Sequence, residues 1–288
     1  MRVARILLPL ILLAFAACSK SPEENKQGLA VSACFRDSED NGSELSLQGL
    51  WIFDSSSGEL VHTASWSAPE QIASSFITIP KGEYLVVMGV NLDLPLKVEG
   101  SDSPQTLCYT LDRTSPGKVF TACSELSGYN PAHIVNLDMS LERVMAELTI
   151  ELKGAPSGLE LLVEAVNPAE AFFPAVRNDS GSWGKPSESI RSFTTSALSL
   201  DSSFRSQAVM LMPTASGREW SFFHITMTTA ECVVFETYIE APRMDAGARY
   251  LMSLQYEEIK SFMHLSSCPI SDWTEGWVYE GDITDPTN

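Results

Sequence analysis

The clearest pattern along the chain is the strict alternation at 146–153 (AELTIELK), where Ala146, Leu148, Ile150 and Leu152 interleave with Glu147, Thr149, Glu151 and Lys153. Successive side chains of a strand point to opposite faces, so a period of two predicts a strand with one face in a core and the other in water. Segment 45–53 (LSLQGLWIF) is apolar-rich, stops at Asp54-Ser55-Ser56-Ser57-Gly58 and returns as 59–63 (ELVHT), the signature of a hairpin. Segment 76–79 leads through Pro80-Lys81-Gly82-Glu83 into 84–90 (YLVVMGV), apolar enough to predict a central strand. Stretches 91–104 and 112–128 read as loop-rich. After the turn cluster Gly154-Ala155-Pro156-Ser157-Gly158 comes a strand at 159–166, then a long polar stretch at 177–195. Segments 208–212, 220–227, 232–239 and 249–256 predict four more strands. The segment 140–146 (SLERVMA) predicts a short helical turn, and no segment holds a 3.6-residue period for a dozen positions.

Many short strands separated by turn clusters predict an all-β chain of β-sandwiches. Two strand sets, 28–139 and 140–258, predict two such domains in tandem, and 288 residues suffice to give each its own core. The remaining pieces are 1–17, a tether at 18–27, and a C-terminal segment, 259–288, read as a last strand or a partner contact.

The first residues fix an address. Arg2 and Arg5 precede an apolar run from 6 to 17 that stops at Cys18 after Phe15-Ala16-Ala17. A basic start, a run too short to cross a bilayer and small residues before a cut predict a secretory signal. A cysteine directly after the cut resembles a bacterial lipoprotein signal, with Phe15 where that family usually has leucine. The resemblance implies that Cys18 becomes the first residue of the mature chain and carries acyl chains such as palmitate. Segment 19–26 has no apolar residue and reads as a solvated tether. Its Lys20 and Glu23-Glu24 resemble the acidic export signal that sends lipoproteins of Bacteroidales-type bacteria to the outer face of the outer membrane.

Charge and candidate chemistry narrow the function. The net charge is −18, and no Lys/Arg run follows the signal, so the chain lacks the clustered cations a nucleic-acid partner requires. Of six cysteines, Cys108/Cys123 and Cys232/Cys268 are open pairings that would leave Cys34 free, and buried reduced thiols are the equal alternative. The four histidines, His62, His133, His224 and His264, show no metal-ligand spacing, and His62 and His224 fall within strands as structural residues. There is no nucleophile elbow, phosphate loop, dinucleotide fingerprint or CxxC pair. The carboxylate groups Asp37/Glu39/Asp40 and Glu257/Glu258 read as solvated surface. A non-enzyme without metal or cofactor is expected. Among six tryptophans, Trp51 and Trp220 read as core, whereas Trp183, within SGSWGKP, is the best candidate for an exposed contact of the kind that stacks on sugars.

Four segments, in order, resemble FimB-like fimbrial subunits, the lipid-anchored members of Bacteroidales-type (type V) fimbriae. They are Leu50-Trp51-Ile52-Phe53-Asp54 with Gly58-Glu59-Leu60-Val61, and Gly82-Glu83-Tyr84 running to Gly89-Val90-Asn91. The third spans 137–150, and the last is Ile270-Ser271-Asp272-Trp273. The tether departs from the family in lacking further cysteine and aspartate residues close after Cys18. The resemblance implies two tandem transthyretin-like, Greek-key β-sandwich domains and a subunit that joins its fimbrial stalk partner by β-strand donation. It further implies that the lipid on Cys18 tethers the fimbria to the outer membrane as an anchor or accessory subunit. One acyl chain anchors only marginally, so a force-bearing anchor needs several. Trp273, Trp277 and Tyr279 are then the expected partner contacts. The rival from another class is a carbohydrate-binding surface lipoprotein for nutrient uptake.

Overall fold

A computed structural model of the chain describes residues 27–36, 46–67, 71, 76–112, 117–230, 232, 234–256 and 263–267. The fold is all-β. In the first part lie β1 (Gly28–Phe35), β2 (Gln48–Asp54), β3 (Leu60–Trp66), β4 (Phe76–Ile77) and β5 (Gly82–Val90), followed by β6 (Leu96–Glu99), β7 (Cys108–Leu111), β8 (Phe120–Tyr129) and β9 (Ile134–Arg143). One seven-stranded sheet runs β3-β2-β5-β8-β9-β1-β4. It curls where β8 meets β9, which share only the pairs Phe120↔Arg143 and Thr121↔Glu142. The curl encloses a core of Leu29, Val31, Leu50, Ile52, Val86, Met88 and Leu137, among others.

The second part begins with β10 (Ala146–Lys153), β11 (Glu160–Ala165), β12 (Ala171–Arg177), β13 (Trp183–Pro186), β14 (Phe193–Thr194) and β15 (Leu198–Ser199). It continues with β16 (Val209–Leu211), β17 (Trp220–Thr228), β18 (Val234–Pro242), β19 (Arg249–Tyr256) and β20 (Met263–Ser267). The sheets β16-β10-β19-β20 and β14-β11-β17-β18, with β15 also on β11, enclose a core that includes Leu148, Ile150, Leu152, Val163, Phe223, Ile225 and Met252.

The two parts use one strand order. β1 is parallel to β9 and antiparallel to β4, as β10 is parallel to β19 and antiparallel to β16. Likewise β2 lies between β3 and β5 with β8 beyond, as β11 lies between β14/β15 and β17 with β18 beyond. Each part also carries an inserted hairpin, β6–β7 in the first and β12–β13 in the second. The two hairpins join through Ala171↔Thr110 and Phe172↔Tyr109 into the sheet β13-β12-β7-β6. That sheet covers the other face of β2 and β5, so Trp51, Phe53, Leu85 and Val87 pack with Tyr109, Leu111 and Phe172. This is why 84–90 is apolar at nearly every position: it is buried on both faces.

A cross-strand glycine pair, Gly49↔Gly89, makes that second layer fit. A Cβ on Gly49 would lie 2.5 Å from the Trp51 ring, and one on Gly89 would lie 2.5 Å from the Tyr109 hydroxyl. Tyr109 is fully buried, its hydroxyl is 3.3 Å from Thr121 Oγ1, and Thr121 in turn donates to the Met88 carbonyl at 2.9 Å. Burial pushes the Tyr109 phenol far above its ordinary value.

The expected elements differ from the structure in four places, the first being the loop-rich stretch 91–104, which holds β6. The loop-rich stretch 112–128 contains most of β8, whose last residues are too polar to show the pattern. The expected helical turn at 140–146 is instead the end of β9, with Leu141 opposite Phe35, a short link whose Val144 N–H bonds the Val119 carbonyl at 2.9 Å, and the start of β10. The polar stretch 177–195 holds β13 and β14. Cys34, Cys108, Cys123 and Cys232 are free thiols, so the Cys108/Cys123 pairing gives way to the reduced alternative; Cys108 sits opposite Glu99 and Cys123 opposite Val87, in different sheets. Cys268 lies outside the described residues.

Candidate functional site: a cleft bordered by Trp183

The inserted hairpin β12–β13 carries the site. At its turn the Asn178 side-chain oxygen accepts the backbone N–H groups of Ser180 (3.1 Å) and Ser182 (3.0 Å) and the Ser180 hydroxyl (2.7 Å). Such a side chain replaces a backbone acceptor and fixes the turn locally. Gly181 completes it at φ 83°. Trp183 follows, half-buried against the core shared by β2, β5, β7 and β12. The Arg177 guanidinium lies 3.9 Å from the Trp183 ring centroid, and donates to the Gly181 carbonyl at 2.7 Å and to Glu125 of β8 at 2.9 Å. A cation over an indole face is attractive, and here it also holds the ring in place. Gly184, at φ 94°, lets the backbone lie on the Phe172 ring, which a Cβ would approach to 2.6 Å.

Beside Trp183 opens a cleft of about 460 Å³ between the hairpin, the end of β9 and the segment after β18. This size is within the range of small-molecule sites. Lys185 pairs with Asp179 (3.7 Å) and Arg243 with Asp245 (3.0 Å) on its wall, while the lining residues Arg143 and Glu142 meet Glu147 (3.3 Å) and Arg36 (2.5 Å) beside it. A second cleft of about 390 Å³ borders the same tryptophan and is lined by Glu83, Glu125 and the turn after β2. In that turn the Ser56 hydroxyl, with the backbone N–H groups of Ser57 and Ser56, holds the Asp54 carboxyl down to about 2.

A different feature is the outward face of β11, β17 and β18. Trp220 (38% exposed), Phe222, Tyr238 and Val234 (54% exposed) stand on it with Glu160, Glu164, Glu236 and Glu240. The His224 ring stacks on Tyr238 at 4.4 Å, with Glu164 at 3.5 Å and Glu236 at 3.6 Å.

Trp51 is buried as expected, while Trp220 is a surface residue because it takes an outward register position on β17. Trp183, expected as an exposed contact, is half-buried at the start of β13, and the structure brings to it Arg177, Lys185 and Arg243, which sequence reasoning had not singled out. His62 and His224 lie on strands β3 and β17. Cys18, Trp273, Trp277 and Tyr279, and the carboxylates Asp37, Glu39, Asp40, Glu257 and Glu258, lie outside the described residues. Among the described residues no three His, Cys, Asp or Glu side chains are grouped to hold a metal ion.

Strand order and packing define an all-β protein of curled and stacked sheets. Solved structures share this fold over nearly the whole chain. A candidate polysaccharide-binding protein from Bacteroides thetaiotaomicron matches with a TM-score of 0.56 at 9% identity, over 88% of this chain and 98% of its own. A candidate adhesin from the same organism matches at 0.53 and 12% identity, over 86% and 97%. The fimbrial anchor protein Mfa2 from Porphyromonas gingivalis matches at 0.53 and 11% identity, over 88% and 99%. At such identities the likeness establishes the fold. No family model matches the sequence, and no curated protein matches it in sequence.

Proposed function

We propose that this chain is a non-catalytic, lipid-anchored cell-surface subunit of a fimbria, acting as an anchor or accessory subunit at the outer membrane. The observation that carries the reading is the fold match over 88% of this chain and 99% of a fimbrial anchor protein, joined to the lipoprotein-like start at Cys18. The candidate adhesins of the same fold support it. In this reading each part of the chain, 28–139 and 140–258, is a transthyretin-like Greek-key sandwich, which the repeated strand order supports. The stalk subunit joins by strand donation, and 259–288, with Trp273, Trp277 and Tyr279, is the partner segment. Its described portion, β20, pairs antiparallel with β19.

The test is a Cys18→Ala strain. The chain and its fimbriae should leave the cell-envelope fraction and accumulate in the medium. Retention of the variant in the envelope sinks the lipid anchor, and release of the chain alone, with fimbriae still on the cells, sinks the anchoring role. A second reading, glycan recognition at the cell surface, is favoured by the Trp183 cleft.

A further inference from the structure

We propose that the cleft bordered by Trp183 binds an uncharged saccharide. This rests on the second reading above and stands independently of the fimbrial one. A sugar ring presents apolar C–H faces and a rim of hydroxyls, so its receptor needs a flat apolar surface beside mixed donors and acceptors. Trp183 supplies the surface. Arg177 fixes the indole from one face at 3.9 Å, and the Asn178 turn fixes the chain before it. A ring held in advance loses little freedom when a ligand arrives.

The rim supplies the rest. Arg243 with Asp245 (3.0 Å) and Lys185 with Asp179 (3.7 Å) set cationic donors next to anionic acceptors. A hydroxyl both donates and accepts, so vicinal hydroxyls match such pairs, and charged partners make the stronger hydrogen bonds. The decisive point is the balance of charge. In a chain of net charge −18 the cleft wall carries Arg143, Lys185 and Arg243 against Glu142, Asp179 and Asp245. A wall of cancelling charges gives an acidic glycan no net attraction, and it offers a cationic ligand less than the carboxylate-lined cleft on the other border of Trp183. An uncharged, hydroxyl-rich ligand is what remains.

The experiment applies the purified mature chain to an array of neutral and acidic oligosaccharides and titrates the neutral hits by calorimetry. The wild type should bind at least one neutral oligosaccharide. Trp183→Ala should weaken that binding about tenfold or more, the usual scale for a central aromatic contact. Arg243→Ala should weaken it several-fold. Val234→Ala, exposed at the end of the β17–β18 pair opposite to Arg243, should leave it unchanged. Because Trp183 also packs on the core, Arg243→Ala, on the rim, decides the matter if Trp183→Ala fails to fold. Binding of acidic glycans alone, no binding to any neutral glycan, or neutral binding indifferent to Arg243→Ala overturns the assignment. Loss of fimbrial neighbours in cells would not bear on it.

Discussion

Several residues that gave the chain its family look turn out to be structural. Asp54 accepts the N–H groups of Ser56 and Ser57, each at 2.9 Å, and so closes the turn from β2 into β3. Tyr84 donates to the Pro80 carbonyl at 2.7 Å, and a Cβ on Gly82 would sit 2.9 Å from that hydroxyl. Asn91, at φ 62°, accepts from the Ser46 N–H (2.9 Å) and donates to the Lys118 carbonyl (2.7 Å), pinning two loops to the end of β5. Gly89 leaves room for Tyr109, so Gly89→Ala should cost roughly 1–3 kcal/mol in urea denaturation through overpacking. Asp54, depressed to about 2, should keep its charge down to that pH. Its folded value lies below the unfolded one, so its contribution is complete above pH ~4 and is lost as pH falls through about 2. An NMR titration of the Asp54 carboxyl checks this, and a midpoint near 4 would contradict the turn. Trp183 stood out in the sequence because its neighbours are polar. Arg243 did not, since only the fold brings it from beyond β18 to the same cleft.

Among elements, the period-two strand β10 was fully legible, and its register with β19 shows why its polar face matters. Glu151, on that face and only 9% exposed, accepts from Ser253 (2.8 Å) and Arg205 (2.9 Å) and lies 3.2 Å from Lys153, which ties β10 to β19 and to the loop before β16. Burial works to raise its pKa, but the hydrogen bonds from Ser253, Arg205 and Lys153 outweigh it and hold the carboxyl below its usual range. A depressed carboxylate stabilises the fold above its unfolded pKa, and the gain is lost as pH falls through the folded value. Glu151→Ala should therefore lower stability by about 1–3 kcal/mol at neutral pH, and the difference from wild type should shrink in acid denaturation below pH ~4. On the inner face, Leu148→Ala should cost ~2–5 kcal/mol through its cavity. The strands missed in the sequence share one cause. β8 ends in polar residues, and the hairpins β6–β7 and β12–β13 find their apolar partners in each other's part of the chain, which no local pattern reveals.

On the scale of the whole molecule, the repeat of one strand order and the joining of the two inserted hairpins make a single stacked body out of two β units. Phe172 is the hinge pin of that joint: it pairs with Tyr109, packs with Trp51 and Phe53, and underlies Gly184 of the cleft. Phe172→Ala should cost ~3–5 kcal/mol and should also disorder the Trp183 hairpin, read as faster amide exchange over 177–186 than in a Leu148→Ala variant of equal stability loss. The all-β class could be read from alternation and turn residues, whereas the shared sheet depends on the pairs Ala171↔Thr110 and Phe172↔Tyr109, and the cleft on Arg143, Lys185 and Arg243 meeting, which no local pattern reveals.

The central claim, a fimbrial subunit held at the outer membrane, is tested most directly by cross-linking intact cells and identifying this chain's neighbours by mass spectrometry. Cross-links from 259–288, or from the sheet edges, to a fimbrillin-like protein are the expected result. Cross-links to an outer-membrane transporter, with no fimbrial protein among the neighbours, would contradict the claim and leave glycan capture as the function.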